Sequence, residues 1–141
     1  MIVLDTNIVS EVSHERSDPA VVAWLRAQDE AELCLCIPVV AELSFGAERF
    51  MLRNGNRKHL IAFERLVQER FRNRILPMDV IAASKYGEVY AAREAAGRPI
   101  GIMDAMIAAI CLVNDATLAT RNVRDFDGLD LKLVNPFEAG E

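Results

Sequence analysis

Short apolar runs alternate along this chain with longer segments of helical periodicity. The runs predict five strands, at residues 2–4, 33–37, 74–76, 117–119 and 131–134. The segments between them repeat apolar residues at every third or fourth position, which indicates amphipathic helices. This alternation predicts an α/β fold, with a central, mostly parallel sheet of about five short strands flanked by helices.

Proline and glycine mark where the predicted helices begin and end. Pro19 and Pro38 favour helix starts, because a proline in the first turn loses no hydrogen bond there. Further helices are predicted at residues 79–96 and about 103–113. Gly55 breaks the chain before an amphipathic helix whose apolar stripe is formed by Leu60, Phe63, Leu66, Val67 and Phe71.

Length and composition favour one globular domain covering residues 1–141, because a hydrophobic content of 52% supplies an ample core. No apolar run reaches the roughly 18 residues of a membrane span, and no signal sequence is recognisable at the amino terminus. We therefore expect a cytoplasmic protein that does not enter a membrane. Cys34 and Cys36 lie in an apolar strand, so we interpret the cysteines as reduced core residues.

Three acidic residues occupy positions typical of a site in a parallel α/β protein. Asp5 follows the first predicted strand, and Glu42 falls one turn into the helix that begins near Pro38. Asp104 is the only charge on the otherwise apolar helix from about 103 to 113. Residues 120–126 follow the fourth strand at the same predicted edge.

Each acidic residue also has a purely structural explanation. Asp5 could cap the next helix, and Asp104 could be stabilised by a helix dipole. Glu42 could lie on the exposed side of its helix, although Val40, Leu43 and Phe45 are expected to crowd it. Considered together, the carboxylates would repel one another unless a hard cation lay among them. Ligands that are all oxygen atoms favour Mg²⁺, with Mn²⁺ as the alternative.

The basic residues are concentrated in one region. Residues 49–74 contain eight of the sixteen basic residues and two acidic ones, a local charge of +6 in a chain of net charge −5. This region either forms a solvated helical surface or contacts a polyanion. The four arginines interpreted as contacts to a polyanion or a partner are Arg57, Arg65, Arg70 and Arg72.

Four motifs together resemble those of PIN-domain ribonucleases, and more narrowly the VapC-type toxins and their FitB-like relatives. They are residues 2–7 (IVLDTN), 38–43 (PVVAEL), 102–109 (IMDAMIAA) and 118–126 (LATRNVRDF). The motifs occur in the same order as in that family and span nearly the whole chain. The resemblance implies a PIN-like three-layer sandwich and a metal-dependent endoribonuclease.

The resemblance also implies which residues form the site. The first three family acids correspond to Asp5, Glu42 and Asp104, which would hold Mg²⁺ or Mn²⁺ and carry out catalysis. Asn122 stands where many members have aspartate, so the candidates for the fourth ligand are Asn122, Asp125 and a water. The carboxylates would be oriented by hydrogen bonds from Thr6, Asn7 and Thr120.

A metal-activated water would make a side-chain nucleophile unnecessary, so neither His14 nor His59 is expected to be catalytic. The resemblance further implies the toxin of a type II toxin–antitoxin pair, a small DNA-binding antitoxin, an RNA substrate and a homodimer. The alternative is a catalytically weak or inactive PIN-like module that only binds a partner or RNA. The neutral Asn122 is the feature that favours this alternative.

Overall fold

A computed structural model describes residues 1–13 and 15–138 of the chain, so His14 lies outside the described residues. The sheet has five short strands, at Ile2–Leu4 (β1), Leu33–Cys36 (β2), Ile75–Leu76 (β3), Thr117–Ala119 (β4) and Lys132–Val134 (β5). The longer helices lie at Thr6–Glu11 (α1), Pro19–Ala27 (α2), Ile37–Asn54 (α3), Lys58–Arg65 (α4), Val80–Ala95 (α5) and Ile102–Val113 (α6). Every predicted strand is therefore present, within one residue of its expected ends.

The strand order β3-β2-β1-β4-β5 positions the functional residues. All neighbouring strands in this sheet are parallel, which confirms and sharpens the prediction of a mostly parallel sheet flanked by helices. The chain builds outward from β1 through β2 to β3, and then returns to the other side of β1 with β4 and β5. The order reverses between β1 and β4, and parallel α/β sheets bind ligands at such a reversal.

Local sequence signals explain where the helices begin and end. Asp18 caps α2 by accepting a hydrogen bond from the N–H of Ala20, and Pro19 occupies the first turn. Gly55 ends α3 in the left-handed conformation, with a φ of 65° that a residue with a side chain rarely adopts.

The predicted amphipathic helix from Leu60 to Phe71 is helical, but it is not one regular α-helix. The α-helix ends at Arg65, and a π-helical turn follows at Leu66–Arg70. Phe71 follows this wider turn and packs in the core, where it is 3% exposed.

The core lies on both faces of the sheet. All four residues of β2 are buried, as expected for a parallel strand covered by helices on both sides. Cys34, Cys36 and Cys111 are free and buried, which agrees with the interpretation of reduced core cysteines. Within the described residues, no helix combines the length and the apolar character that crossing a bilayer requires.

Candidate metal and active centre

Asp5 lies at the carboxyl end of β1, where the strand order reverses. Its side chain is only 5% exposed, and its backbone N–H donates to the carbonyl of Ala119 at the end of β4. The carboxylate caps α1, because Oδ1 accepts a hydrogen bond from the N–H of Thr6 at 2.8 Å. The capping explanation is therefore correct, but it uses only one of the two carboxylate oxygens.

The second oxygen of Asp5 is held by residues that come from the far end of the chain. Thr120 is fully buried, and its hydroxyl donates to Asp5 Oδ2 at 2.7 Å. Asn7 Nδ2 lies 3.5 Å from both Asp5 Oδ2 and Thr120 Oγ1. Asn7 Oδ1 in turn accepts the N–H of Arg121 at 3.2 Å. These contacts fix the orientation of the carboxylate.

Burial raises the pKa of Asp5 above its ordinary value, because the charged form loses solvent. The hydrogen bonds from Thr120, Thr6 and Asn7 oppose this rise, and the charge of Asp125 adds to it. Asp5 is thus a buried carboxylate whose negative charge is only partly compensated by neutral donors.

Glu42 reaches the same place from α3. Its side chain is half-buried, and Oε1 accepts a hydrogen bond from the Thr6 hydroxyl at 3.1 Å. Burial is the main cause that raises its pKa, and the charge of Asp5 raises it further. One expectation is wrong here, because Phe45 does not enclose Glu42 in apolar surroundings but is itself 63% exposed.

Asp104 lies in the first turn of α6, a helix whose later residues from Ile107 to Cys111 are buried. Its pKa is raised to about 6, first by burial and then by the charges of Asp5, Asp125 and Glu42. The part of this shift that comes from the other three carboxylates indicates that the acidic residues lie close to one another. A helix start normally stabilises a carboxylate, so burial and repulsion together outweigh the helix dipole.

The segment after β4 contains the two candidates for the fourth ligand. Asn122 is exposed, and its backbone N–H donates to Thr120 Oγ1 at 3.1 Å. Asp125 is also exposed, yet its charge raises the pKa of both Asp5 and Asp104. Both residues therefore lie beside the site. Asp125 is the one of the two whose charge affects the pKa of Asp5 and Asp104.

A buried arginine anchors this segment, and the sequence did not reveal it. Arg93 of α5 is 8% exposed, and its Nε donates to the carbonyl of Arg98 at 2.7 Å. Its Nη1 donates to the carbonyls of Asp125 and Asp127, both at 3.1 Å. The pattern of α5 contains no signal that would separate this arginine from a surface one.

The acidic residues of this site offer only oxygen atoms to a divalent cation. Within the described ranges 1–13 and 15–138, no three His, Cys, Asp or Glu side chains are close enough to ligate one ion directly. Mg²⁺ retains several waters and is commonly held by one or two carboxylates, so a hydrated ion needs no such triad. The donors are all oxygen atoms, and their mutual repulsion would be relieved by a cation. The residues therefore fit a hydrated hard cation.

The four predicted contact arginines lie in or beside the helical segment formed by α4 and the π-helical turn, and none of them takes part in the hydrogen bonds of the Asp5 side chain. All four are exposed. Arg70 Nε is 3.4 Å from Glu30 Oε1, an ion pair that ties it to the turn before β2. Among residues 1–13 and 15–138, no hydrogen bond or ion pair joins Arg57, Arg65 or Arg72 to the acidic residues of the candidate centre, so the role of these arginines stays a prediction.

Comparison with known proteins agrees with this geometry. The model of the PIN domain family matches residues 2–131. VapC ribonuclease Y4jK of Sinorhizobium fredii is 36% identical, over 98% of this chain and 99% of that protein. Toxin FitB of Neisseria gonorrhoeae is 35% identical, over 97% of this chain and 99% of that protein.

The fold agrees as well. In a solved structure of FitAB bound to an IR36 DNA fragment, one chain is 33% identical and superposes with a TM-score of 0.86. The match covers 98% of this chain and 96% of that one. The family match over residues 2–131 and these identities show that this chain belongs to the PIN-domain family.

Proposed function

We propose that this protein is a metal-dependent endoribonuclease and the toxin of a type II toxin–antitoxin pair. The observation that carries the proposal is a set of carboxylates at the reversal point of the sheet whose pKa values are raised first by burial and then by neighbouring carboxylate charges. Such a set is costly unless a cation compensates it. Similarity to proteins named VapC ribonuclease and Toxin FitB supports the same conclusion.

The proposed roles follow from these contacts. Asp5, Glu42 and Asp104 hold the cation and form the catalytic group, and Asn122 or Asp125 completes the site. The cation is Mg²⁺ in this proposal, with Mn²⁺ as the alternative, because both prefer oxygen ligands. When bound, it supplies an activated water and stabilises the negative charge that develops on the phosphate.

The protein's own residues prepare the site for this reaction. Thr120 and Asn7 hold one oxygen of Asp5, the Thr6 N–H holds the other, and the Thr6 hydroxyl holds Glu42. These bonds orient the carboxylates before RNA arrives. One of the three carboxylates also accepts the proton that the attacking water loses.

The proposed partners are a small DNA-binding antitoxin, a second copy of the chain in a homodimer, and an RNA substrate in the cytoplasm. The similar chain in the FitAB structure belongs to a complex bound to DNA, which supports the first of these.

The test is cleavage of single-stranded RNA by the purified chain and by Asp5→Asn, with EDTA and with added Mg²⁺ or Mn²⁺. We expect metal-dependent cleavage that Asp5→Asn abolishes and that Asp130→Asn, a change at an exposed aspartate outside the site, retains. Full activity of a carefully purified Asp5→Asn protein would contradict the proposal.

The second candidate function is an inactive module that only binds a partner or RNA. Asn122 favours it, because an amide at that position gives the site one negative charge fewer than an aspartate would. Isothermal titration with Mg²⁺ and Mn²⁺ separates the two functions. Binding that is lost in Asp5→Asn and Asp104→Asn supports the nuclease, and no such binding supports the inactive module.

A further inference from the structure

A groove runs along α3 from the acidic residues. It has a volume of about 540 Å³, and Thr6 and Glu42 line the end that it shares with the candidate centre. The wall beyond this end is aromatic and is formed by Phe45, Phe50 and Phe63. An RNA strand with a phosphate at the carboxylates must also pass over the neighbouring protein surface. This groove is continuous with the site of the carboxylates.

Phe45 is the prominent feature of the groove. Its side chain is 63% exposed, which is unusual for a phenylalanine in a chain with a well-formed core. It lies three residues after Glu42 on the same helix, and side chains with that spacing are about 5–6 Å apart at Cβ. The ring of Phe45 is therefore adjacent, on the surface of α3, to the carboxylate of Glu42, a member of the proposed catalytic group.

The groove also carries positive charge next to its aromatic rings. The guanidinium of Arg49 lies 5.0 Å from the centre of the Phe45 ring. Lys58 Nζ lies 5.3 Å from the centre of the Phe50 ring, and that ring meets His59 edge to face at 4.2 Å. Proteins that bind single-stranded nucleic acid combine such rings, which stack bases, with cations, which contact phosphates.

From this arrangement we propose that Phe45 stacks the base of an RNA nucleotide adjacent to the phosphate at the acidic residues, with Arg49 beside it. The occupant is single-stranded RNA, because the groove offers cations and an exposed ring where a polyanion with flat bases must pass. Base stacking on such a ring is tolerant of sequence, so Phe45 contributes affinity for any base. This proposal rests on the proposed ribonuclease function.

The test compares two fluorescent 12-nucleotide RNAs, one with mixed bases and one with abasic ribose throughout. Their affinities are measured by anisotropy in the full chain carrying Asp5→Asn, which prevents cleavage. We expect the base-bearing RNA to bind about tenfold tighter, since one stacked base is worth about 1–3 kcal/mol. Phe45→Ala should reduce this ratio to about twofold and leave the affinity for the abasic RNA unchanged. Phe45→Trp should retain the ratio.

The matched control is Leu52→Ala, which removes an apolar side chain that is 85% exposed on the same helix but does not line the groove. It should keep the parent ratio. If Phe45→Ala leaves the ratio of the two RNA affinities unchanged, the proposal is overturned. This holds even if the variant loses binding to a protein partner. A reduced ratio in Phe45→Ala supports base stacking even if the chain with Asp5 intact does not cleave RNA. Failure of the ribonuclease proposal would appear only in the cleavage assay, so the two failures are distinguishable.

Discussion

Asp104→Asn should stabilise the metal-free protein while it abolishes metal-dependent RNA cleavage. The pKa of Asp104 is raised from 3.8 to about 6, which means that the folded state disfavours the charged form. A rise of this size corresponds to about 3 kcal/mol at about 1.4 kcal/mol per pKa unit. The side chain is only half-buried, so solvent screening reduces this figure to roughly 1.5 kcal/mol.

Asparagine removes this cost. The raised pKa is the net effect of burial, repulsion and the attraction of the carboxylate to the start of α6. The gain in the free energy of unfolding is therefore roughly 1.5 kcal/mol at pH 7.5. For a chain of this length, the expected rise in Tm is about 5 °C.

The stability that Asp104→Asn gains over the parent protein should increase as the pH rises. Below the ordinary pKa of 3.8 the carboxyl is neutral in both the folded and unfolded states, so it has no effect. As the pH rises toward 6, the unfolded state loses its proton first, and the metal-free parent protein loses stability. The difference between Asp104→Asn and the parent should be negligible near pH 4 and reach its maximum above pH 7.

The assay is thermal unfolding in EDTA from pH 4 to pH 8, with Asp130→Asn as a control that changes an exposed aspartate outside the site. The control should follow the parent at every pH. If Asp104→Asn is less stable than the parent at pH 7.5, or if its advantage does not shrink toward pH 4, the carboxylates do not repel one another as described.

Three further predictions concern the same site. Saturating Mg²⁺ at 100 times its Kd should stabilise the parent by about 2.7 kcal/mol but leave Asp104→Asn unchanged, as measured by Tm; an equal rise in both would place the ion elsewhere. Thr120→Val removes the 2.7 Å bond to Asp5 and should weaken metal affinity about 10–100-fold in calorimetry, whereas Thr120→Ser should retain it. Arg93→Met leaves the carbonyls of its anchored segment without their donor and should cost about 2–4 kcal/mol in urea unfolding, with partial recovery in Arg93→Lys.

The order of elements could be predicted from the sequence because its signals are local. Strand residues form short apolar runs, and Asp18, Pro19 and Gly55 act on the residues next to them. Asp5, Glu42 and Asp104 could be proposed together because each follows a strand or opens a helix, and because their motifs resemble a known family. The regularity of α4 could not be predicted, since the π-helical turn depends on packing Phe71 into the core.

The sequence by itself determined the alternation of strands and helices, the buried core and the positions of the acidic residues, because these follow from local periodicity and spacing. Only the tertiary structure decided how the residues meet. Thr120 bonds Asp5 across 115 positions, and Arg93 is buried against the backbone that carries Asp125. Phe45 is exposed and does not crowd Glu42 as its place in the sequence predicted. The reason is that burial and hydrogen bonding between distant segments depend on the order in which the strands pack, which no local pattern contains.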